Sequence, residues 1–282
     1  MLLLSIDKTL LNSKHFVLIS LYLDKTIIML SILLFIFIFI PQKVLTISTC
    51  SLHSTDITCS HFSNYDAFSS SLRRIQSEQI QNNHAVFRRL HLFNCSFKYL
   101  PENAFLGLKF STILLENVSI KKVISKDFFG SSSGYLKRLI YRNKDFTQSS
   151  TQYDNNLFES LRKCRYLQHV ELCMTNLENV IPSGAFNHNY LRSIRFTGNY
   201  SSLSIQSQAF NSLKRIQSVV FNKLTVVNVA QNALDVEPIQ SGHVSFIFNR
   251  CKWPYELKKS FDLQFRQSLS PVKIYFYSSK FI

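Results

Sequence analysis

Gly130-Ser131-Ser132-Ser133-Gly134 satisfies G-x-S-x-G, the pattern that in hydrolases presents a nucleophilic serine on a sharp strand-to-helix turn. That chemistry needs a buried strand before the serine and a helix after it. Here Phe128-Phe129 ends one apolar stretch and Leu136 begins a strand, so the string reads as a flexible loop. A second set, Cys50, His53, Cys59 and His61, supplies four ligands of the kind structural zinc takes, at a short spacing. The competing chemistry is a disulfide, which an oxidising compartment favours. Cys164-x4-His169-x3-Cys173 offers three ligands and lacks a fourth. None of the eight histidines stands in H-E-x-x-H, and the six glycines form neither G-x-G nor G-x-x-x-x-G-K. The residues therefore predict no enzyme, no cofactor and no metal.

The elements that would position these side chains come from a repeat. Apolar residues at positions 1, 4 and 6 align seven segments: FRRLHL (87–92), FSTILL (110–115), LKRLIY (136–141), LQHVEL (167–172), LRSIRF (191–196), IQSVVF (216–221) and HVSFIF (243–248). Of the 21 key positions, 20 are apolar or tyrosine, His243 being the exception; the 46% apolar composition alone would give about ten. Position 11 repeats the preference as Phe97, Ile120, Phe146, Leu177, Val226 and Trp253, and fails only at Ser201. Ala104-Phe105, Ala185-Phe186 and Ala209-Phe210 recur further on, with Asp127-Phe128 and Ala233-Leu234 as looser versions. Starts lie 23, 26, 31, 24, 25 and 27 residues apart, mostly inside the range of leucine-rich repeats. An eighth, weak repeat is placed at Leu269 with Val272 and Ile274.

Alternation at positions 4 and 6 describes a short strand with one buried face, which a single unit cannot bury alone. Stacked units share a continuous core, with Phe105, Phe128, Phe186 and Phe210 filling the layer behind the strands. The fold class expected is α/β: a curved leucine-rich repeat solenoid of seven to eight repeats, with parallel strands inside and a mixed helical or irregular outer side. Position 9 reads Cys95, Val118, Lys144, Thr175, Asn199, Leu224 and Cys251, so only Asn199 keeps the asparagine that satisfies backbone groups in such bends.

Residues Ile27 to Ile40 form an uncharged apolar run of 14, short for a membrane span but fit for the core of a secretory signal. Residues 1–48 read as a signal peptide or signal anchor, with Met29 an alternative start. Residues 49–86 follow as an N-terminal cap, 87–256 as the solenoid and 257–282 as a terminal repeat or divergent tail. The chain is thus expected to be secreted, the alternative being an exterior domain held in the membrane by 27–40. The net charge is +15, and the basic residues are scattered as pairs without a block of five or six. An extracellular acidic partner fits this better than nucleic acid; the plain alternative is a solvated basic surface.

The stretch VFRRLHLFNCSFKYLPENAFLGLKFSTILLENVSIKKVISKDFFG, Val86 to Gly130, resembles secreted arthropod leucine-rich repeat proteins similar to the non-catalytic subunit of a shrimp luciferase. The likeness continues weakly to about residue 255. It implies secretion and a binding or carrier role, as the partner subunit of a secreted enzyme. It departs in lacking a cysteine-rich C-terminal cap, since only Cys251 lies beyond residue 173. Secreted repeat proteins carry a disulfide-pinned cap where Cys50 and Cys59 stand, and that pair is expected to be bonded. Cys95 and Cys251 lie six strand spacings apart, about 29 Å, beyond disulfide reach, and read as buried thiols in the bend. Cys164 and Cys173 bracket the fourth strand on opposite sides.

Three sequons occur, at Asn94, Asn117 and Asn199. Asn94 and Asn117 fall at position 8, exposed where the strand ends, and are the expected glycosylation sites. Asn199 falls at position 9, where its amide is expected to point inward. Positions 3, 5 and 7 would line the concave face. In the first five repeats they carry Arg89, His91, Arg138, Arg142, His169 and Arg195 against Glu116 and Glu171. These six are the candidate contacts for an extracellular protein or acidic glycan, with solvated side chains as the alternative.

Overall fold

The computed structural model describes residues 47–79, 86–142, 155–174, 178–236, 244–254 and 272–281, all within the compact unit Ile47–Ile282. The chain winds into a mostly-sheet parallel β-solenoid of about six turns with few helices. It begins with an antiparallel hairpin, β1 (Thr49–His53) and β2 (Asp56–Ser60), in which Cys50 lies directly opposite Cys59 and the two are disulfide-bonded. Helix α1 (Tyr65–Gln79) starts where the Asn64 side chain accepts the Ala67 N–H, a capping contact. It turns Phe68, Leu72 and Ile75, at helical spacing, into the core.

The seven apolar segments lie on β3 (Phe87–Phe93), β5 (Phe110–Glu116), β7 (Arg138–Arg142), β8 (His169–Met174), the first part of β10 (Ser193–Ile205), the first part of β11 (Ser218–Val229) and β12 (Val244–Asn249). All pair in parallel, in the order given, after β2. Every position 4 meets a position 4: Leu90, Ile113, Leu139, Val170, Ile194, Val219 and Phe246 form one buried row. Phe105, Phe128, Phe186 and Phe210 are buried behind it, as the repeat predicts.

Three features differ from the expectation. The outer side has little helix: besides α1, the described residues hold one further α-helix, α2 (Asn155–Arg162), in the longest repeat, where Leu157, Phe158 and Leu161 are buried. Elsewhere the chain returns through turns and short second strands, β4 (Ser96–Leu100) paired with β6 (Ser119–Ile124), β9 (Glu178–Ile181), and β13 (Lys252–Trp253) paired with β15 (Lys280–Phe281). With only six glycines, the described bends that follow the parallel strand segments fall on His61, Asn94, Asn117, Tyr200, Lys223, Arg250 and Ser278, all at positive φ. Rungs to the next turn hold several of them, as in Asn94 N–H to Glu116 O and Arg250 N–H to Tyr277 O.

The second difference is the last strand, β14 (Val272–Tyr277). Phe246 and Phe248 pair with Ile274 and Phe276, so positions 4 and 6 fall on Ile274 and Phe276 rather than on Val272 and Ile274. The eighth segment therefore starts two residues later than its hydrophobic pattern suggests, because Val272, Ile274 and Phe276 all alternate equally well and only pairing selects among them. The third difference lies in the fifth repeat. From Thr197 to Ser201 is four residues, while the matched step on β11, Asn222 to Leu224, is two. This bulge puts Ser201 beside Leu224 and Leu203 beside Val226, so position 11 of the fifth repeat is filled after all, by the buried Leu203. Gly198 sits at the pinch, where a Cβ would come 2.4 Å from Leu224 Cδ2.

Behind the sheet, the imidazole of His188 is buried. Its Nε2–H donates to Leu161 O at 2.8 Å, and among the described residues its Nδ1 has no hydrogen-bond partner. Burial pushes its pKa down, helped by Arg162 and opposed by the Leu161 bond. The folded protein thus disfavours the imidazolium while the unfolded chain accepts a proton near pH 6.5. Stability is therefore full above that pH and falls on acidification, at up to about 1.4 kcal/mol per pH unit, until the folded-state pKa is reached. Urea melts at pH 7 and pH 5 are expected to show this loss in the wild type and a shallower loss in His188→Gln. Equal slopes would show that other groups carry it.

Candidate functional site

The open face of the sheet is built by positions 3, 5 and 7, and strand register decides which side chains meet there. Asp56, on β2, stands directly opposite Arg89. Its carboxylate, 10% exposed, accepts from Arg88 Nε at 2.8 Å, Arg88 Nη2 at 2.6 Å and Arg89 Nη2 at 2.7 Å. The Arg88 hydrogen bonds, with both guanidinium charges, hold Asp56 below the usual carboxylate range against the opposing effect of burial. Asp56 precedes the first segment of the repeat pattern; an acid opening the short Asp56–Ser60 run, level with position 3 of the next strand, is the signal in the sequence.

Two further candidates also meet a carboxylate on the face. His91 Nε2 lies 3.2 Å from Glu116 Oε2. Arg142 makes a two-point pair with Glu171, Nε to Oε1 and Nη2 to Oε2, both at 3.0 Å. Arg89, His91 and Arg142 thus lie on the expected face, each beside its own carboxylate. Cys173 and Ile140, expected to line the same face, are buried instead.

Arg138, His169 and Arg195 remain. Register places Arg138 opposite His169, and Arg195 opposite Glu171 on the strand that carries His169. Among the described residues neither arginine has a carboxylate partner, and both are exposed. His169 Nδ1 is hydrogen-bonded to Ser193 Oγ on the next strand. Burial first, then the charge of Arg138, pushes the His169 pKa down, with Arg195 and Arg142 adding and Glu171 opposing. At neutral pH the site is therefore a neutral, hydrogen-bonding imidazole between two free guanidiniums. Such a group suits an anion: each guanidinium offers up to five N–H donors in a planar fork, and the imidazole adds one more in the tautomer whose Nδ1 accepts from Ser193 Oγ. A serine beside a histidine also suggests proton relay, but Glu171, the nearest acid in register, is held by Arg142.

Ser132, centre of the G-x-S-x-G string, is fully buried in a 3-10 turn (Gly130–Gly134) and not in a flexible loop. Its hydroxyl donates to Leu108 O at 2.8 Å and accepts the Phe110 N–H at 3.3 Å, so it ties two turns of backbone together. Among the described residues no group of three or more His, Cys, Asp or Glu could hold a metal. Cys95, Cys164, Cys173 and Cys251 are all buried, and among the described residues Cys95, Cys164 and Cys251 stand outside any disulfide. Burial pushes the thiol of Cys251 up to about 11 and raises Cys95 and Cys164 as well. In the position-9 column, Cys95 Sγ donates to Phe93 O, Cys251 Sγ to Phe221 O, and Ser201 Oγ to Met174 O. Weak donors thus stand where the asparagine ladder is missing.

Asn94 and Asn117 sit side by side at positive φ, the Asn117 amide donating to Asn94 Oδ1 at 3.2 Å. Asn199 is exposed, contrary to the expectation that it points inward: the two-residue bulge gives the ladder place to Ser201 and swings Asn199 out. The burial argument against sugar at Asn199 falls away. The apolar run 27–40 lies outside the described residues; among those described, no helix is long and apolar enough to cross a membrane. No protein-family model matches the chain, and no curated protein matches it either.

Proposed function

We propose that this chain is an exported, non-enzymatic binding protein of the leucine-rich repeat type, with seven to eight repeats, whose open sheet face takes an acidic protein or glycan. The observation that carries this reading is the Arg138–His169–Arg195 group, two guanidiniums without a carboxylate partner among the described residues about a neutral imidazole, on a face where Arg89, His91 and Arg142 already sit beside carboxylates. The Cys50–Cys59 disulfide supports an oxidising compartment. The resemblance noted above supports service as the partner subunit of a secreted enzyme. If the apolar run 27–40 is retained, the same surface belongs to an anchored receptor-like ectodomain; the N-terminal residue of the released protein decides between the two.

The test is capture of a partner from conditioned medium by the C-terminally tagged chain. Arg138→Glu with Arg195→Glu is expected to lower capture at least about tenfold, the loss of one charged contact of ordinary strength. Arg74→Glu, on the far helix, serves as the control. Equal capture by wild type and the double variant, with unchanged melting temperatures, overturns the assignment of the face.

A further inference from the structure

A second surface stands apart from this face, along the margin where the strands begin. The residue just before position 1 of consecutive repeats is Lys109, Tyr135, Tyr166, Tyr190 and Arg215. The three tyrosines are exposed by 39%, 51% and 39%. Lys109 Nζ lies 5.0 Å from the centre of the Tyr135 ring and Arg215 Cζ 5.2 Å from that of Tyr190, while the Tyr166 and Tyr190 centroids are 5.8 Å apart. The row is thus three aromatic side chains, one per turn, bracketed by a cation over each end. It crosses four strand spacings, about 19 Å.

The flanking positions add exposed cations, Lys137, Arg165, Arg192 and Lys214. Backbone rungs hold the margin in register: Gln168 N–H donates to Lys137 O, Arg192 N–H to Gln168 O and Gln217 N–H to Arg192 O. The segments entering these strands, 132–138, 164–169, 188–193 and 213–218, contain no aspartate or glutamate. Among the described residues, Lys109, Lys137, Arg165, Arg192, Lys214 and Arg215 have no carboxylate partner, whereas the acids of the open face sit on Arg88, Arg89, His91 and Arg142. Among the described residues, cations without a carboxylate partner are therefore more numerous at this margin than on the face, where Arg138 and Arg195 stand.

We infer that the margin is a binding track for a linear sulfated or carboxylated polysaccharide. Exposed aromatic rings in a row suit a polymer that presents flat apolar faces at regular intervals, as the C–H faces of pyranose rings do. Interleaved lysines and arginines suit anionic substituents between those faces. An acidic protein would satisfy the cations and leave the tyrosine row unexplained. Single-stranded nucleic acid would satisfy both, since bases stack on aromatic side chains too. The polysaccharide is preferred on the extracellular placement proposed above, on which this inference rests.

The experiment uses the purified secreted chain on immobilised heparin, with a sulfonate cation exchanger as the column that reads charge alone. The triple variant Lys137→Ser, Arg192→Ser, Lys214→Ser is expected to elute from heparin at clearly lower salt. Arg138→Glu with Arg195→Glu is expected to shift heparin and the exchanger by the same amount, so a failure of the open-face reading stays separate from a failure of this one. Tyr166→Ser, which changes no charge, is expected to weaken heparin binding at least about fivefold in solution titration, as loss of an exposed aromatic anchor does. It leaves elution from the exchanger unmoved, and an unchanged melting temperature shows that it folds. Heparin binding indifferent to Tyr166→Ser overturns the track, and so does binding of a single-stranded oligonucleotide as tight as that of heparin.

Discussion

Phe221→Ala is expected to lower stability by about 3–5 kcal/mol and the melting temperature by about 10 °C or more. Phe221 is fully buried in the middle of a ladder of position-6 rings. Its centroid is 5.2 Å from Phe196 and 4.6 Å from Phe248, both nearly parallel to it, and Phe210 meets it edge-on at 6.4 Å. Truncation removes the ring and leaves a cavity walled by three others, which backbone rungs on both sides keep from collapsing. Phe276, at the end of the same ladder, stacks on Phe248 at 5.4 Å but is 41% exposed. Phe276→Ala is therefore expected to cost well under half as much. Chemical denaturation of the two variants side by side checks the contrast; equal losses would mean that the ladder does not pack as described.

The second large effect concerns register. Leu203→Ala is expected to cost about 2–5 kcal/mol, because the side chain is fully buried beside Val226. Ser201→Ala is expected to cost about 1 kcal/mol, the worth of its hydrogen bond to Met174 O. Counting along the repeat assigns the opposite order, since Ser201 is eleventh from Leu191 and Leu203 is thirteenth. Urea midpoints of the two variants decide between the counted register and the bulged one. A larger loss for Ser201→Ala would remove the bulge and return Asn199 to the ladder.

The arginines of the open face show how far a repeat can be read. Positions 3, 5 and 7 were assigned by alternation alone, and register places all six candidate side chains on that face. What alternation could not supply was their state of charge. Asp56 reaches Arg88 and Arg89 from 32 and 33 residues away, and Glu171 reaches Arg142 from 29. A one-dimensional count of four arginines and two histidines against two glutamates therefore overstates the free charge of the face. At the margin, where among the described residues the cations have no carboxylate partner, the sequence shows only scattered basic pairs.

The sequence by itself determined the solenoid, the alignment of seven strands and the buried phenylalanine layer. These follow from a period of two within each strand and a period near 25 between strands, and both are carried by side chains close in sequence. The tertiary structure alone decided the bulge of the fifth repeat, the start of the last strand and the assignment of each carboxylate to its arginine. Each of those is a choice among arrangements that satisfy the hydrophobic pattern equally. It is settled by hydrogen bonds and ion pairs between turns, whose partners lie a whole repeat apart along the chain and one strand spacing apart in space.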